Sequence, residues 1–334
     1  MVDPSNRELC WVDSSMKPHL VVVIDTEEQF DWSGGYSRSN TAVSAMRAIE
    51  RVQRIFDEFC VTPVYVIDYP IATQPEGYEP LREIVSDHRC VIGTHLHPWV
   101  SPPYDEALST WNSFPGNLSL RLESEKLRLL TECIEDRFEQ RPVIYKAGRY
   151  GVGPRTAAIL EELGYEIDLS VCPHMDYSGE GGPNFLAHSA WPYWFGMHRL
   201  LELPLTVGYT GMLREYGQTL HRLASGEAGQ AFRAVGILSR TGLVSKVWLS
   251  PEGYTAEEQI RLLKDLYRDG HRIFSFAFHS PSVEPGHTPY VTSSQELTVF
   301  LDRCRKVFEF FFGEFGGVPA TPLELKRQLA RATS

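Results

Sequence analysis

The sequence predicts an α/β protein whose mostly parallel sheet closes into a barrel. Short apolar runs alternate with longer amphipathic runs along most of the 334 residues, as expected for repeated strand–helix units. About seven or eight such units fit a barrel better than an open sheet, and a single α/β barrel fills a chain of this length. We therefore predict one domain with its functional loops on one face, at the carboxyl ends of the strands.

The individual elements follow from the spacing of the apolar residues. Strands are predicted at 20–25, 62–68, 90–97, 142–147, 166–171, 200–205, 246–250 and 272–279. Helices are predicted at 41–59, 76–88, 119–139, 154–163, 212–224, 227–240, 255–269 and 294–312. Two helix boundaries have clear sequence markers. Gly164 ends one helix, and Thr255 with Glu258 forms a capping box at the start of another.

Two long loops, 98–118 and 173–199, interrupt this pattern. Loops of this length without structure of their own are usually functional. The second loop contains the aromatic run 191–195, which includes Trp194 and could stack on a saccharide or lie buried over the barrel mouth. The saccharide platform is favoured because Trp99 and Trp111 lie in the other loop.

Composition narrows the class of protein. The net charge of −11 argues against a nucleic-acid surface. No apolar run approaches the length of a membrane span, and the first residues lack a signal-peptide pattern. The six cysteines are scattered without a C-x-x-C pair, which disfavours a zinc–thiolate site and is typical of reduced thiols. We therefore expect a cytoplasmic protein without a transmembrane segment or a nucleic-acid partner.

Polar residues at the ends of three strand-like runs suggest a metal site. The first run ends in Asp25-Thr26-Glu27-Glu28, and a later one ends in His95-Leu96-His97. Residues two apart in a strand share a face, so both imidazoles can bind one ion, with a carboxylate as third ligand. Each motif also has a structural interpretation: the histidines as a hydrogen-bonded pair, and the acids as a solvated loop with a helix cap. His279 ends the last run, where it is either a proton donor or a hydrogen-bonded core histidine.

Five segments, in this order, resemble the motifs of the polysaccharide deacetylase family, the NodB-homology domain of carbohydrate esterase family 4. VVVIDTEE resembles the first motif of the family, and EIVSDHRCVIGTHLHPW resembles the second. The third and fourth lie within YKAGRYGVGPRTAAILEELGYEIDLSV, and the fifth is FSFAFHSPS. With LSPEGY and HSPSVEPGHTPYV included, the arrangement is most similar to the WalW-like subgroup. The resemblance implies a single deformed (β/α)7-type barrel domain over 1–334, with its core at about 18–320.

The resemblance also implies an activity and a set of catalytic residues. The family removes N-acetyl groups from amino sugars with a divalent metal, usually zinc. Asp25 would be the catalytic base, and His279 the general acid. Asp168 would orient the charged partner of His279, a position for which Lys146 and Arg149 compete.

The resemblance implies metal ligands as well. His95, His97 and Glu27 would bind the ion, with Glu28 as the alternative to Glu27. Imidazole and carboxylate ligands suit zinc, and they also suit iron, cobalt or nickel.

Substrate contacts are expected from Tyr150, Trp99, Trp194 and Glu252. Tyr150 could equally serve packing, and Glu252 could be an acid that stabilises a helix N-terminus. The leading hypothesis is a cytoplasmic N-deacetylase of carbohydrate metabolism that acts on an amino sugar or a saccharide precursor. The alternatives are hydrolysis of another C–N bond, as in a deformylase or a cyclic amidase, and a non-catalytic glycan-binding protein.

Overall fold

A curved sheet of mainly parallel strands forms the centre of the structure, a computed structural model that describes residues 7–226 and 234–332. The strands are β1 (Glu8–Leu9), β2 (His19–Thr26), β3 (Val64–Ile67), β4 (Val91–Leu96), β5 (Ile144–Ala147), β6 (Ile167–Asp168), β7 (Tyr193–Phe195), β8 (Leu200–Glu202), β9 (Val207–Thr210), β10 (Ser245–Trp248), β11 (Ile273–His279) and β12 (Val318–Pro319). Seven of them are parallel in the order β8-β6-β5-β4-β3-β2-β11. β7 and β1 extend the sheet in antiparallel fashion beyond β8, and β12 pairs with the beginning of β2.

Helices connect the parallel strands and cover the outside of the sheet. They are α1 (Glu50–Glu58), α2 (Tyr69–Thr73), α3 (Pro75–Ser86), α4 (Leu120–Phe138), α5 (Thr156–Glu162), α6 (Gly217–Ser225), α7 (Ala234–Arg240), α8 (Ala256–Arg268), α9 (Ser294–Phe308) and α10 (Pro322–Ala332). Short 3₁₀ turns lie at Ser44–Ala48, Pro98–Val100, Trp111–Ser113, Pro115–Asn117, Gly148–Tyr150, Ser178–Glu180, Arg214–Tyr216 and Ser280–Val283, and a π-helical turn, Glu309–Glu314, follows α9. The capping box at the start of α8 is confirmed, with hydrogen bonds in both directions between Thr255 and Glu258.

The barrel is deformed because β8 and β11 are not joined by a ladder of hydrogen bonds. Single backbone hydrogen bonds span the gap instead: Leu249 N donates to Thr206 O, beyond the end of β8, and Ala277 N of β11 donates to Leu249 O. The antiparallel pair β9–β10 lies at this gap as a separate two-stranded sheet. The predicted α/β barrel is therefore confirmed in its deformed form.

Two apolar clusters occupy the two faces of the sheet. On β2, Leu20, Val22 and Ile24 pack with the helices outside, whereas Val21 and Val23 belong to the inner cluster. Leu325 and Leu329 of α10 join the inner cluster, on the side where β12 meets the start of β2. The opposite end of the inner face, at the carboxyl ends of the strands, is left to polar residues.

Each predicted strand overlaps a strand of the structure, and each predicted helix that lies in the described part of the chain contains helical residues. Of the predicted helix at 227–240, the structure describes residues 234–240, which form α7. Residues 227–233 lie outside the described residues. Sequence analysis missed β1, β7, β9, β12, α2 and α10, most of which are too short to show a period. The expectation of a single domain stays a prediction. Within the ranges described, no helix is long and apolar enough to cross a membrane.

Candidate active site

Strand alternation brings the polar residues of several strands together at one end of the inner face. Asp25 follows Val21 and Val23 on the inner face of β2. The same two-residue spacing places Lys146 on β5 and His279 at the end of β11 on the inner side. The resulting cavity has a volume of about 630 Å³, within the range of small-molecule sites.

Glu27, His95 and His97 form a buried group that could hold a metal ion. One carboxylate oxygen, Glu27 Oε2, lies 3.5 Å from His95 Nε2 and 3.4 Å from His97 Nε2. In a tetrahedral zinc site with bonds of about 2.0–2.1 Å, neighbouring ligand atoms are about 3.3 Å apart. The three donor atoms therefore have nearly the spacing of such a site, and the donor set fits a divalent ion.

Hydrogen bonds on the far side of each ring fix which nitrogen can bind a metal. His95 Nδ1 lies 2.9 Å from the carbonyl oxygen of Lys146, which can only accept, so the ring proton is on Nδ1. His97 Nδ1 lies 2.8 Å from Glu28 Oε2 and donates in the same way. Both Nε2 atoms thus keep a lone pair toward Glu27, the arrangement that orients metal-ligating histidines in many proteins.

Glu28 lies behind His97, on the side away from Glu27. Its carboxylate accepts hydrogen bonds from His97 Nδ1 and from Trp99 Nε1 at 2.7 Å, while its backbone N–H donates to Asp68. Burial raises the pKa of Glu28 to about 7. Glu28, Asp68 and His97 form a second group that could hold a metal, but their mutual hydrogen bonds already occupy these atoms. Of the two acids considered from the sequence, Glu27 is the one that faces both Nε2 atoms.

Asp25 lies beside this group and is paired with Lys146. Lys146 Nζ is 2.5 Å from both carboxylate oxygens, and both side chains are buried. Burial alone would raise the pKa of Asp25, but the positive charges of Lys146 and His279 outweigh burial and lower it. Sequence analysis left Lys146 and Arg149 open, and the structure places Lys146 on this carboxylate.

His279 is held by Glu252. His279 Nδ1 lies 2.8 Å from Glu252 Oε2, and its backbone N–H donates to Glu252 Oε1. Ser282 Oγ also donates to that carboxylate. Burial opposes the charged imidazole, but Glu252 and Glu27 outweigh it and raise the pKa of His279 to about 10. The other nitrogen, Nε2, lies 3.8 Å from Asp25.

Asp168, expected to orient the charged partner Lys146 or Arg149, instead lies with Ser170 and Glu202. Asp168 alternates with Ile167 and Leu169 of the inner cluster and therefore points to the outer side of the sheet. Its carboxyl accepts hydrogen bonds from the backbone and hydroxyl of Ser170 and interacts with that of Glu202. Glu252, expected to contact substrate, is the carboxylate that holds His279.

Arg149 and Tyr150 both line the cavity. The Arg149 guanidinium donates to Ser113 and Glu180. The Tyr150 ring stacks on Tyr177, with a centroid distance of 5.5 Å. Both Arg149 and Tyr150 have positive φ angles, 53° and 59°, so the sharp turn after β5 directs Arg149 away from Asp25.

The expected aromatic platform around Trp194 is not part of the cavity. Trp194 lies in β7, where it is 3% exposed and packs in the inner cluster, so the buried alternative applies. Trp99 does line the cavity, but it stacks on His97 at 4.2 Å instead of presenting an open face. The aromatic residues that sequence analysis missed in the cavity wall are Phe30, Trp32, Tyr36, Tyr177, Trp248, Tyr254 and Tyr290.

Solved structures with a similar fold were found by structural comparison. A candidate polysaccharide deacetylase from Mycobacterium smegmatis has a TM-score of 0.56 at 16% identity, covering 100% of this chain and 96% of that one. Another, from Pseudomonas aeruginosa PAO1, has a TM-score of 0.54 at 15% identity, covering 94% and 91%. The allantoinase PuuE has a TM-score of 0.53 at 13% identity, covering 95% and 91%.

No protein-family model and no curated protein matches the sequence. The structural matches span nearly the whole chain on both sides, so the chain has the deformed-barrel fold of these proteins. The predicted resemblance to polysaccharide deacetylases is confirmed at the level of the fold.

Proposed function

We propose that the protein is a metal-dependent hydrolase of the polysaccharide deacetylase family that removes an N-acetyl group from an amino sugar or a sugar precursor. One observation carries the proposal: the Nε2 atoms of His95 and His97 converge on Glu27 in a cavity that also contains Asp25 and His279. The fold shared with solved structures named as candidate deacetylases supports it.

The proposed chemistry assigns a different task to each side chain. Glu27, His95 and His97 would hold a divalent ion, whose contribution is to polarise the scissile carbonyl and to lower the pKa of water. Asp25 accepts the proton of the attacking water, as a general base. His279 gives the proton at Nε2 to the leaving nitrogen, so that the C–N bond breaks and acetate and a free amine are released.

Two further residues keep these groups in the required state. Lys146 holds the Asp25 carboxylate in position with two hydrogen bonds. Glu252 fixes the ring of His279 and keeps it protonated at neutral pH, because its negative charge favours the imidazolium. Both act through another residue, and we regard them as positioning residues.

The decisive experiment measures acetate release from N-acetylated amino sugars by the purified protein. We expect turnover that a chelator abolishes and that added zinc restores. Failure to release acetate from any substrate, with a full complement of bound metal, would argue against the proposal. If the protein binds no metal, even after metal is added, the non-catalytic glycan-binding alternative is favoured.

Hydrolysis of a cyclic amide is the second candidate. The structural match to an allantoinase favours it, because that protein shares the fold and its name refers to a substrate that is not an amino sugar. A panel of cyclic ureides, formamides and N-acetyl sugars, assayed side by side with the same metal-loaded protein, separates the two candidates.

A further inference from the structure

Lys246 is a cation in the cavity wall that the proposed chemistry does not use. It lies on β10, where two-residue spacing places it on the same face as Trp248. Both residues line the cavity, whereas Val247 between them is buried on the other side. The same stretch of chain continues to Glu252, which holds His279. The wall therefore runs from a lysine past an aromatic ring to the proposed proton donor.

The other cations in or beside this cavity have carboxylate partners. Lys146 is paired with Asp25, His279 with Glu252, and Arg149 with Glu180. Lys246 is the exception: within the described ranges, no carboxylate oxygen lies within the 4.0 Å limit of an ion pair with its Nζ. Its ammonium instead lies 3.1 Å from the thioether sulfur of Met175, which is a weak acceptor.

The surroundings of Lys246 disfavour a lone positive charge. Burial lowers the pKa of Lys246, since an ammonium that loses water without gaining a counter-ion is destabilised. The nearby His174 and His221 provide no negative charge, and the pKa of each is lowered by burial and by Lys246. An anion bound here would gain a charge-assisted hydrogen bond and relieve this cost.

We infer that Lys246 binds an anionic group of the substrate, either a carboxylate or a phosphate. This group would lie in a different part of the substrate from the amide that is cleaved. The inference rests on the proposed function and narrows it to acidic N-acyl amino sugars or phosphate-bearing precursors. Trp248 lies on the same face of β10 as Lys246 and lines the cavity, where its ring can contact the body of such a substrate.

The test is a binding measurement on the metal-loaded protein, by calorimetry, with matched neutral and anionic ligands. The neutral ligand is N-acetylglucosamine; the anionic ligands are its 6-phosphate and N-acetylmuramic acid, which carries a carboxylate. Inorganic phosphate is a probe without a sugar. We expect the wild type to prefer at least one anionic sugar by about tenfold or more, and Lys246→Met to lose that preference. The arm that shows the preference identifies phosphate or carboxylate as the group bound.

Two further variants make the result specific. Lys246→Arg keeps the charge and should retain most of the preference, while Lys306→Met removes an exposed lysine of α9 and should leave the preference intact. Equal affinities for neutral and anionic ligands in the wild type, no binding of any probe, or an unchanged preference in Lys246→Met would each overturn the inference. Failure of the proposed function appears separately, as a lack of acetate release. If the protein binds phosphate through Lys246 but deacetylates nothing, the anion site stands and the deacetylase proposal is wrong.

Discussion

At the scale of single residues, Asp25 is where the parts of the candidate site meet. It accepts two hydrogen bonds from Lys146 and lies 3.8 Å from His279 Nε2. Its lowered pKa means that the carboxylate is ionised at neutral pH, so it is free to accept a proton. The lowered pKa also makes Asp25 a weak base. Asp25 can therefore act as the general base only if the pKa of the attacking water is lowered as well.

Replacement of Asp25 by Asn should abolish most of the turnover without removing the metal. The variant keeps the shape of the side chain but loses the proton acceptor, which typically costs 10²- to 10⁴-fold in rate (an order-of-magnitude expectation). The measurement is kcat for acetate release, together with metal content by elemental analysis. Because Lys146 loses its buried counter-ion, thermal unfolding must be recorded to show that the variant is folded. Turnover close to wild type would exclude Asp25 as the base.

Replacement of Glu252 by Gln should shift the alkaline limit of activity to lower pH. Glu252 raises the pKa of His279 to about 10 against the effect of burial, and the proposed role needs the protonated ring. Without that charge the pKa of His279 falls, so the imidazolium is lost at a lower pH. The pH profile of kcat and an NMR titration of the His279 ring test this. Glu162→Gln, at an exposed position on α5, is the control, and an unchanged titration in Glu252→Gln would contradict the assignment.

At the scale of elements, the alternation of side chains along each strand decides which polar residues reach the site. The sequence predicts that His95 and His97 share a face, because two-residue spacing at a strand end has one geometric meaning. It does not predict the face of Asp168, because β6 is buried on both sides and shows no polar–apolar alternation. Lys146 lies in the short strand β5. From the sequence, it could be recognised only as one of two candidates, with Arg149, for the charged partner.

The outward position of Asp168 has a measurable consequence for stability. Burial raises its pKa from 3.8 to about 6, and the pKa of Glu202 beside it is raised further. Between pH 3.8 and about pH 6, the folded protein binds more protons at this pair than the unfolded chain does. The pair's contribution to the unfolding free energy therefore falls as pH rises. Asp168→Asn should therefore become more stable relative to wild type between about pH 4 and pH 6.

This prediction is tested by denaturant unfolding of both proteins across that pH range, with turnover measured alongside. The turnover of Asp168→Asn should stay near that of the wild type, since the side chain lies on the other side of the sheet from Asp25. A difference in unfolding free energy that does not change with pH would contradict the raised pKa of Asp168. A large loss of turnover would restore Asp168 to the catalytic group.

At the scale of the whole molecule, the site is assembled from segments that are distant along the chain. Glu27 follows β2, the two histidines come from the end of β4, and His279 ends β11, beside β2 in the sheet. The barrel fold and these strand ends are readable from the sequence. The aromatic wall is not, because Phe30, Trp32 and Tyr36 lie in a loop without periodicity, and only the fold determines which loop faces the cavity.

A metal ion bound at this point would connect β2 to β4 across β3 and should stabilise the fold measurably. An ion present at a hundred times its dissociation constant adds about 2.7 kcal/mol to the unfolding free energy, which corresponds to a rise of roughly 4 °C in Tm for a chain of this length. Glu27→Gln and His97→Ala should lose this rise, because the first replaces a charged carboxylate ligand with a neutral amide and the second removes an imidazole ligand. Glu28→Gln should weaken metal binding by about 10- to 100-fold and keep the rise at saturating metal, because Glu28 only orients His97. His198→Ala, at an exposed position, is the matched control. If Glu28→Gln abolished the rise and Glu27→Gln did not, the metal would be held by Glu28, Asp68 and His97, on the side of the His97 ring away from Glu27.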